Sequence, residues 1–173
     1  MAHSLHDYLH ILMNTNLDYL VFRIDERFFA VDVFHVSRVL RSVALVDVPG
    51  APFFLQGLIN IRGHIVPVLN LRSLFRLPGK AVELDDRMLL LGTPSRYLCV
   101  AVDGIEGVFE FSSEQIEEPG RFGLQNDHCV RGAVRFRTDT ALILDPGWLL
   151  PRADLERLEE TLSSQDRTER ETT

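Results

Sequence analysis

From Tyr19 onward the chain is cut into short apolar runs by Gly, Pro, Asn and Asp, and this punctuation restricts the fold more than any other feature of the sequence. Runs of this kind, rich in β-branched and aromatic residues and bounded by turn residues, predict strands. Tyr19-Leu20-Val21-Phe22-Arg23-Ile24 and Phe28-Phe29-Ala30-Val31-Asp32-Val33 read as a hairpin joined by Asp25-Glu26-Arg27. One helical turn is predicted over Val36–Leu40, a strand over Ser42–Val48 and a firm turn at Pro49-Gly50-Ala51-Pro52. Strands Leu58–Ile61 and Ile65–Leu71 flank Arg62-Gly63-His64. Pro67 cannot donate to a ladder, which predicts an edge or a bulge there. A short helix near Ser73–Phe75 and a loop at Pro78-Gly79-Lys80 close the first half.

The second half repeats the texture without repeating the sequence. Met88–Gly92, Arg96–Val102 and Ile105–Phe111 read as strands, the last two as a hairpin about Asp103-Gly104, a strong tight-turn signal. Residues 113–128 predict a long loop, and Val130–Phe136 and Ala141–Leu144 the final strands. Leu5, Tyr8, Leu9 and Leu12 have helical spacing, as do Trp148, Leu149, Leu155, Leu158 and Leu162, with Pro151 near the start of that C-terminal helix. About nine short strands with helices at the ends describe a barrel-rich, mainly β protein. The organisation expected is a helical extension over 1–17, one β domain over 18–162 and a polar tail over 163–173.

Composition matters chiefly for what it excludes. The formal charge is −7, and every basic residue but Lys80 is arginine, scattered along the chain. That balance argues against a phosphate backbone as the main ligand; the arginine bias suits planar recognition of carboxylates, though a GC-rich genome is the simpler reading of it. A small barrel that binds nucleic acid would need a basic groove interleaved with exposed aromatics. The N-terminus has no Lys or Arg before Arg23, and Asp7 and His10 interrupt its apolar stretch, so it does not read as an export signal. No apolar window approaches a membrane span, and a cytoplasmic protein is expected. Cys99, inside an apolar run, reads as a buried thiol, and Cys129 is expected to be unpaired from it.

Catalytic signatures are missing. No phosphate-binding glycine loop, dinucleotide fingerprint, zinc-protease helix motif or nucleophile elbow occurs, so no enzyme activity and no cofactor is expected. His6 and His10 could share a helix face and hold a metal, but solvated positions are the simpler reading. His128 and Cys129 are neighbours that a strand would point to opposite faces, so they do not read as base and nucleophile. Asp85-Asp86 and the Glu114, Glu117, Glu118 group read as solvated carboxylates.

One segment carries a resemblance. Gly57-Leu58-Ile59-Asn60-Ile61-Arg62-Gly63-His64-Ile65-Val66-Pro67-Val68-Leu69-Asn70-Leu71-Arg72 closely resembles the signature of CheW-like domains. Tyr19-Leu20-Val21-Phe22, Phe29-Ala30-Val31-Asp32-Val33 and Val36, Val102-Asp103-Gly104-Ile105 with Val108, Glu114-Gln115-Ile116, Gly132 and Leu142-Ile143-Leu144-Asp145 resemble other parts of the family pattern, from about residue 18 to 162. The resemblance implies two small intertwined five-stranded SH3-like β-barrels around a shared core. It implies a non-enzymatic scaffold that couples methyl-accepting chemoreceptors, at their cytoplasmic tip, to the regulatory domain of a CheA-type histidine kinase in a membrane-associated array.

The implied partner-binding residues are Val36, Arg38, Gly57, Arg62, Gly63, Ile105 and Val108. Gly63 can supply the positive φ of a turn that leaves Arg62 at a hairpin tip, and an exposed arginine offers five donors to a partner. Val36, Ile105 and Val108 would floor a groove for a helix, and Gly57 would let the chain turn tightly beside it. The sequence departs from the family pattern at Arg38, where many members carry a carboxylate, and at Arg41-Ser42, where Arg-Gly is usual. Reversed charge changes partner choice, so a competitor or auxiliary adaptor in a surface-sensing or twitching-motility pathway is the alternative within the family.

Overall fold

A computed structural model describes residues 16–81, 83–122, 128–150, 153–154, 156–161 and 163. The expected N-terminal helix with His6 and His10, the tail beyond 163, and Leu155 and Leu162 lie outside the described residues. Eleven strands are described: β1 (Asn16–Ile24), β2 (Arg27–Asp32), β3 (Val36–Arg41), β4 (Leu55–Ile61), β5 (His64–Leu69), β6 (Arg87–Gly92), β7 (Tyr97–Val102), β8 (Gly104–Ser112), β9 (Ile116–Glu117), β10 (Val130–Phe136) and β11 (Asp139–Leu144). Helix α1 (Leu71–Leu74) is one turn long, and α2 covers the described helical residues of 153–163.

The strands form two sheets, in the orders β8-β1-β2-β11-β10-β9 and β3-β6-β7-β5-β4. Each sheet is closed by one bent segment that borders both of its edges. In the first, β8 passes through a 3-10 turn (Ser113–Gln115) into β9, which pairs with β10 at the opposite edge. In the second, the chain leaving β3 reaches Val46, which exchanges two backbone hydrogen bonds with Leu58 of β4 (2.8 and 2.9 Å). Counting β8 and β9 as one bent strand, both barrels have five strands. The middle of the chain builds the second barrel, inserted between β2 and β8 of the first.

Strand alternation explains why these strands are apolar on both faces. Along β1, Tyr19 and Val21 fill the terminal barrel, while Leu20, Phe22 and Ile24 face a core shared between the barrels. Along β7, Cys99 fills the middle barrel with Val68, Met88 and Leu90, while Leu98, Val100 and Val102 face the shared core. From the C-terminal end, Leu149, Leu150 and the fully buried Leu158 of α2 complete that core.

Several expectations are corrected. Val36–Leu40 is strand, not helix: the turn falls earlier, over Val33–His35, because the Asp32 carboxylate accepts from the Phe34 amide at 2.8 Å. Ser42–Val48 contributes only the Val46 bridge. Asp103-Gly104 is no hairpin, for β7 and β8 belong to different sheets and the chain crosses there from one barrel to the other. Pro67 lies in an interior strand, which is tolerated because the ladder to β7 is confined to Val68 and Leu69. The loop over 113–128 contains the strand that closes the terminal barrel. Trp148 belongs to a separate 3-10 turn (Pro146–Trp148) and is exposed. No helix among the described residues is long and apolar enough to cross a membrane.

Candidate partner-binding surface

The middle barrel has two ends, and charge is handled differently at each. Where β5 and β7 finish, Arg72 of α1 donates to Asp25 at 2.6 Å and to both carboxylate oxygens of Asp103 at 2.8 and 2.6 Å. Asp25 lies in the turn between β1 and β2, and Asp103 at the crossing from β7 to β8. One guanidinium therefore fastens the two barrels together. Asp103 also accepts from the Asp25 amide at 2.6 Å, and Lys80 reaches Asp86 at 2.9 Å and Asp103 at 3.6 Å. Asp86 is buried and accepts from the Glu83 amide at 2.7 Å, so of the Asp85-Asp86 pair only Asp85 is solvated.

Burial pushes the Asp103 carboxyl up, but hydrogen bonds from Arg72 and the Asp25 amide outweigh it and hold the group below its ordinary range. Burial opposes the charge on Arg72 too, yet Asp103 and Asp25 hold its guanidinium above the usual value. The hydrogen bond to Asp86 raises Lys80 against its own burial. Arg72, Lys80 and Asp103 are each held in the charged form by their partners, an arrangement that fixes structure.

The opposite end, where β5 and β7 begin, opens into a groove of about 380 Å³. Its floor includes Val66 and Leu90 of the barrel core, and its wall the exposed Ile65 and Tyr97. Arg38, Arg62 and Arg96 line it with His64. Arg62 and Gly63 are the two central residues of the β4–β5 hairpin, between the paired Ile61 and His64, and both have positive φ (53° and 87°). That is the geometry a two-residue hairpin demands. A left-handed conformation costs a non-glycine residue about 1 kcal/mol, here offset by the Gly63 amide donating to Asn60 Oδ1 at 2.7 Å. Among the described residues Arg38 and Arg62 make no ion pair, whereas Arg96 pairs with Glu159 of α2.

The apolar candidates lie elsewhere. Val36 and Ile105 are half-buried against the shared core. Val108 is opposite Leu20 in the β1–β8 ladder and Ile105 is opposite Phe22. Cross-strand partners share a face, so Val108 and Ile105 extend the shared-core face of β8 outward, and Val108 is 56% exposed. Beside Val36, Phe34 stands 90% exposed at the crossing from β2 to β3. The structure thus separates the predicted residues into a cationic barrel mouth (Arg38, Arg62, Gly63) and an apolar margin (Val36, Ile105, Val108).

Gly57 belongs to neither. It is a strand residue, not a turn, placed where the β4–β5 register shifts. A Cβ there would lie 2.9 Å from the Val46 carbonyl oxygen and 3.0 Å from Leu45 Cβ. Its bareness lets the barrel-closing segment approach.

His128 and Cys129 occupy a turn before β10, with His128 exposed, and Cys99 and Cys129 are not joined by a disulfide. Burial pushes the Cys99 thiol up to about 12, which keeps it protonated. Glu114, Glu117 and Glu118 are exposed as expected. Sequence reasoning missed the Arg72 clamp and the contributions of Arg96 and Tyr97 to the mouth. Arg72 ends the signature segment, but nothing local points to partners 47 and 31 residues away.

Comparison with known proteins agrees with this geometry. A chemotaxis protein CheW of Treponema pallidum is 26% identical over 145 residues, covering 80% of this chain and 85% of that protein. Chemotaxis protein CheW of Thermotoga maritima is 28% identical over 128 residues, covering 72% and 80%. Protein PilI of Pseudomonas aeruginosa is 24% identical over 97 residues, covering 56% of this chain and 54% of its own length. The crystal structure of scaffolding protein TtCheW from Thermoanaerobacter tengcongensis superposes with a TM-score of 0.70 at 25% identity, covering 77% of this chain and 91% of that one. Residues 18–154, both barrels and the crossings between them, match the CheW-like domain, and the chain belongs to that family.

Proposed function

We propose that this protein is a non-enzymatic scaffold that couples methyl-accepting chemoreceptors to a CheA-type histidine kinase in a bacterial chemosensory array. The observation that carries the reading is the match of 18–154 to the CheW-like domain, together with the likeness to a scaffolding protein across both barrels. On this reading the protein is cytoplasmic and recruited to membrane-associated receptors.

The two surfaces divide the work. The apolar margin with Val36, Ile105 and Val108 suits a helix laid along the junction of the barrels, because exposed apolar side chains beside a rigid core lose little entropy when covered. The cationic mouth with Arg38, Arg62 and Gly63 suits charged contacts, with the kinase or with carboxylates of the receptor beyond that helix contact. Gly57 supports both by shaping the barrel. Affinity capture from the native cell tests the coupling: wild type should recover one methyl-accepting receptor and one CheA-type kinase, Val108→Asp should lose the receptor, and Arg62→Ala should lose one of the pair. Recovery of neither class by folded, crosslinked protein would sink the reading.

Arg38 favours a dedicated receptor over a generic one, as in the surface-sensing or twitching alternative. Undiminished binding of a flagellar chemotaxis receptor, compared with Arg38→Glu, would argue against that specialisation.

A further inference from the structure

The mouth of the middle barrel has more positive charge than the described residues of its own chain neutralise. Three arginines from three different segments line it: Arg38 from β3, Arg62 from the β4–β5 turn and Arg96 from just before β7. In a protein of net charge −7 such a concentration is contrary to the average. Among the described residues, the only carboxylate paired with any of the three is Glu159 of α2, on Arg96. The Nε of Arg96 is buried with no hydrogen-bond partner, so even that guanidinium is incompletely satisfied. Between the charges lie exposed apolar walls, Ile65 at 50% and Tyr97 at 55%.

We infer that this mouth binds an acidic protein segment carrying at least one bulky apolar side chain, and that Glu159 is a built-in competitor holding Arg96 until such a segment displaces it. The inference rests on the mouth being a partner surface and names the chemistry of that partner. Guanidinium forks recognise carboxylates with directed, paired hydrogen bonds, and the groove between them accepts the apolar residue, as barrel mouths commonly do. Among the described residues a carboxylate reaching Arg38 and Arg62 meets no competing anion, whereas one reaching Arg96 competes with Glu159. Because Leu158, next to Glu159, is buried in the shared core, α2 is anchored and the competitor stays at hand.

Fluorescence anisotropy of the full chain with a labelled twelve-residue peptide of Glu and Leu, beside its Gln-for-Glu counterpart, reads this directly. The acidic peptide should bind about tenfold tighter than the neutral one, and Arg38→Glu with Arg62→Glu should abolish that preference. Glu159→Gln should tighten acidic-peptide binding several-fold and leave the neutral peptide unchanged, while circular dichroism confirms that each variant is folded. Equal binding of the two peptides overturns the proposal, as does displacement by millimolar inorganic phosphate, tighter binding of a single-stranded oligonucleotide, or a self-association removed by the same arginine variants. An unchanged affinity in Glu159→Gln overturns the competitor role. None of these results depends on recovering receptor or kinase, so failure here is distinguishable from failure of the coupling reading.

Discussion

At one end of the middle barrel Arg72 is 13% exposed and holds two carboxylates, one from each side of the barrel junction. At the other, Arg62 stands in solvent at a hairpin tip and, among the described residues, holds none. The same side chain is a fastener in one place and a free donor in the other, and the difference lies in what surrounds it. Where burial removes water, an unpaired guanidinium would be costly, and the fold supplies Asp25, Asp103 and a neighbouring Lys80–Asp86 pair to prevent it. Where water remains, an unpaired arginine costs little and a pair would add little. Charges that a fold leaves unmatched at modest expense are those it can offer to a partner.

Removing the fastener should have the largest effect. Arg72→Ala leaves Asp25 and Asp103 facing each other in a partly dehydrated junction, and is expected to lower stability by about 3 kcal/mol in urea unfolding. A loss below about 1 kcal/mol would place this end in the same class as the other. Asp103→Asn should cost less, since the amide still accepts one hydrogen bond, and it should alter the response to acid. The folded Asp103 carboxyl lies below its ordinary range, so its contribution is complete above the unfolded value of about 3.9 and is lost as pH falls through the lower folded value. Stability measured against pH should therefore fall below about pH 4 in the wild type, and less steeply in Asp103→Asn.

At the open end the expected losses are smaller. Gly63→Ala should cost about 1 kcal/mol, all of it conformational, because the φ of 87° disfavours a side chain while no atom lies within 4 Å of the new Cβ. Arg62→Ala should change stability by less than about 0.5 kcal/mol while reducing partner capture. If it destabilised as much as Arg72→Ala, the contrast between the two ends would vanish.

Much of this was readable locally. The β4–β5 turn follows from apolar strands on either side of Arg62-Gly63, since a two-residue hairpin needs little beyond its own residues. Asp103-Gly104 shows the limit of that logic: the flanking strands are equally apolar, yet they pair with β6 and β1, not with each other. Asp103 is conscripted instead by Arg72 and the Asp25 amide, which a scan of neighbouring residues does not reveal. Likewise Ile116-Glu117 looks like loop because two residues have no period, but β10 provides the edge that makes them a strand. Gly132 is bare there because a Cβ would meet Ile116 Cγ2 at 2.7 Å.

By itself the sequence determined where most strands lie, where most turns fall and which family the pattern resembles, because β-branched runs and left-handed turn positions act over a few residues. Tertiary structure alone decided which strands share a barrel, how each barrel closes and which arginines are matched. Those outcomes depend on pairings across tens of residues, where burial and the approach of a distant carboxylate set the free energy of a charge, and no local pattern encodes either.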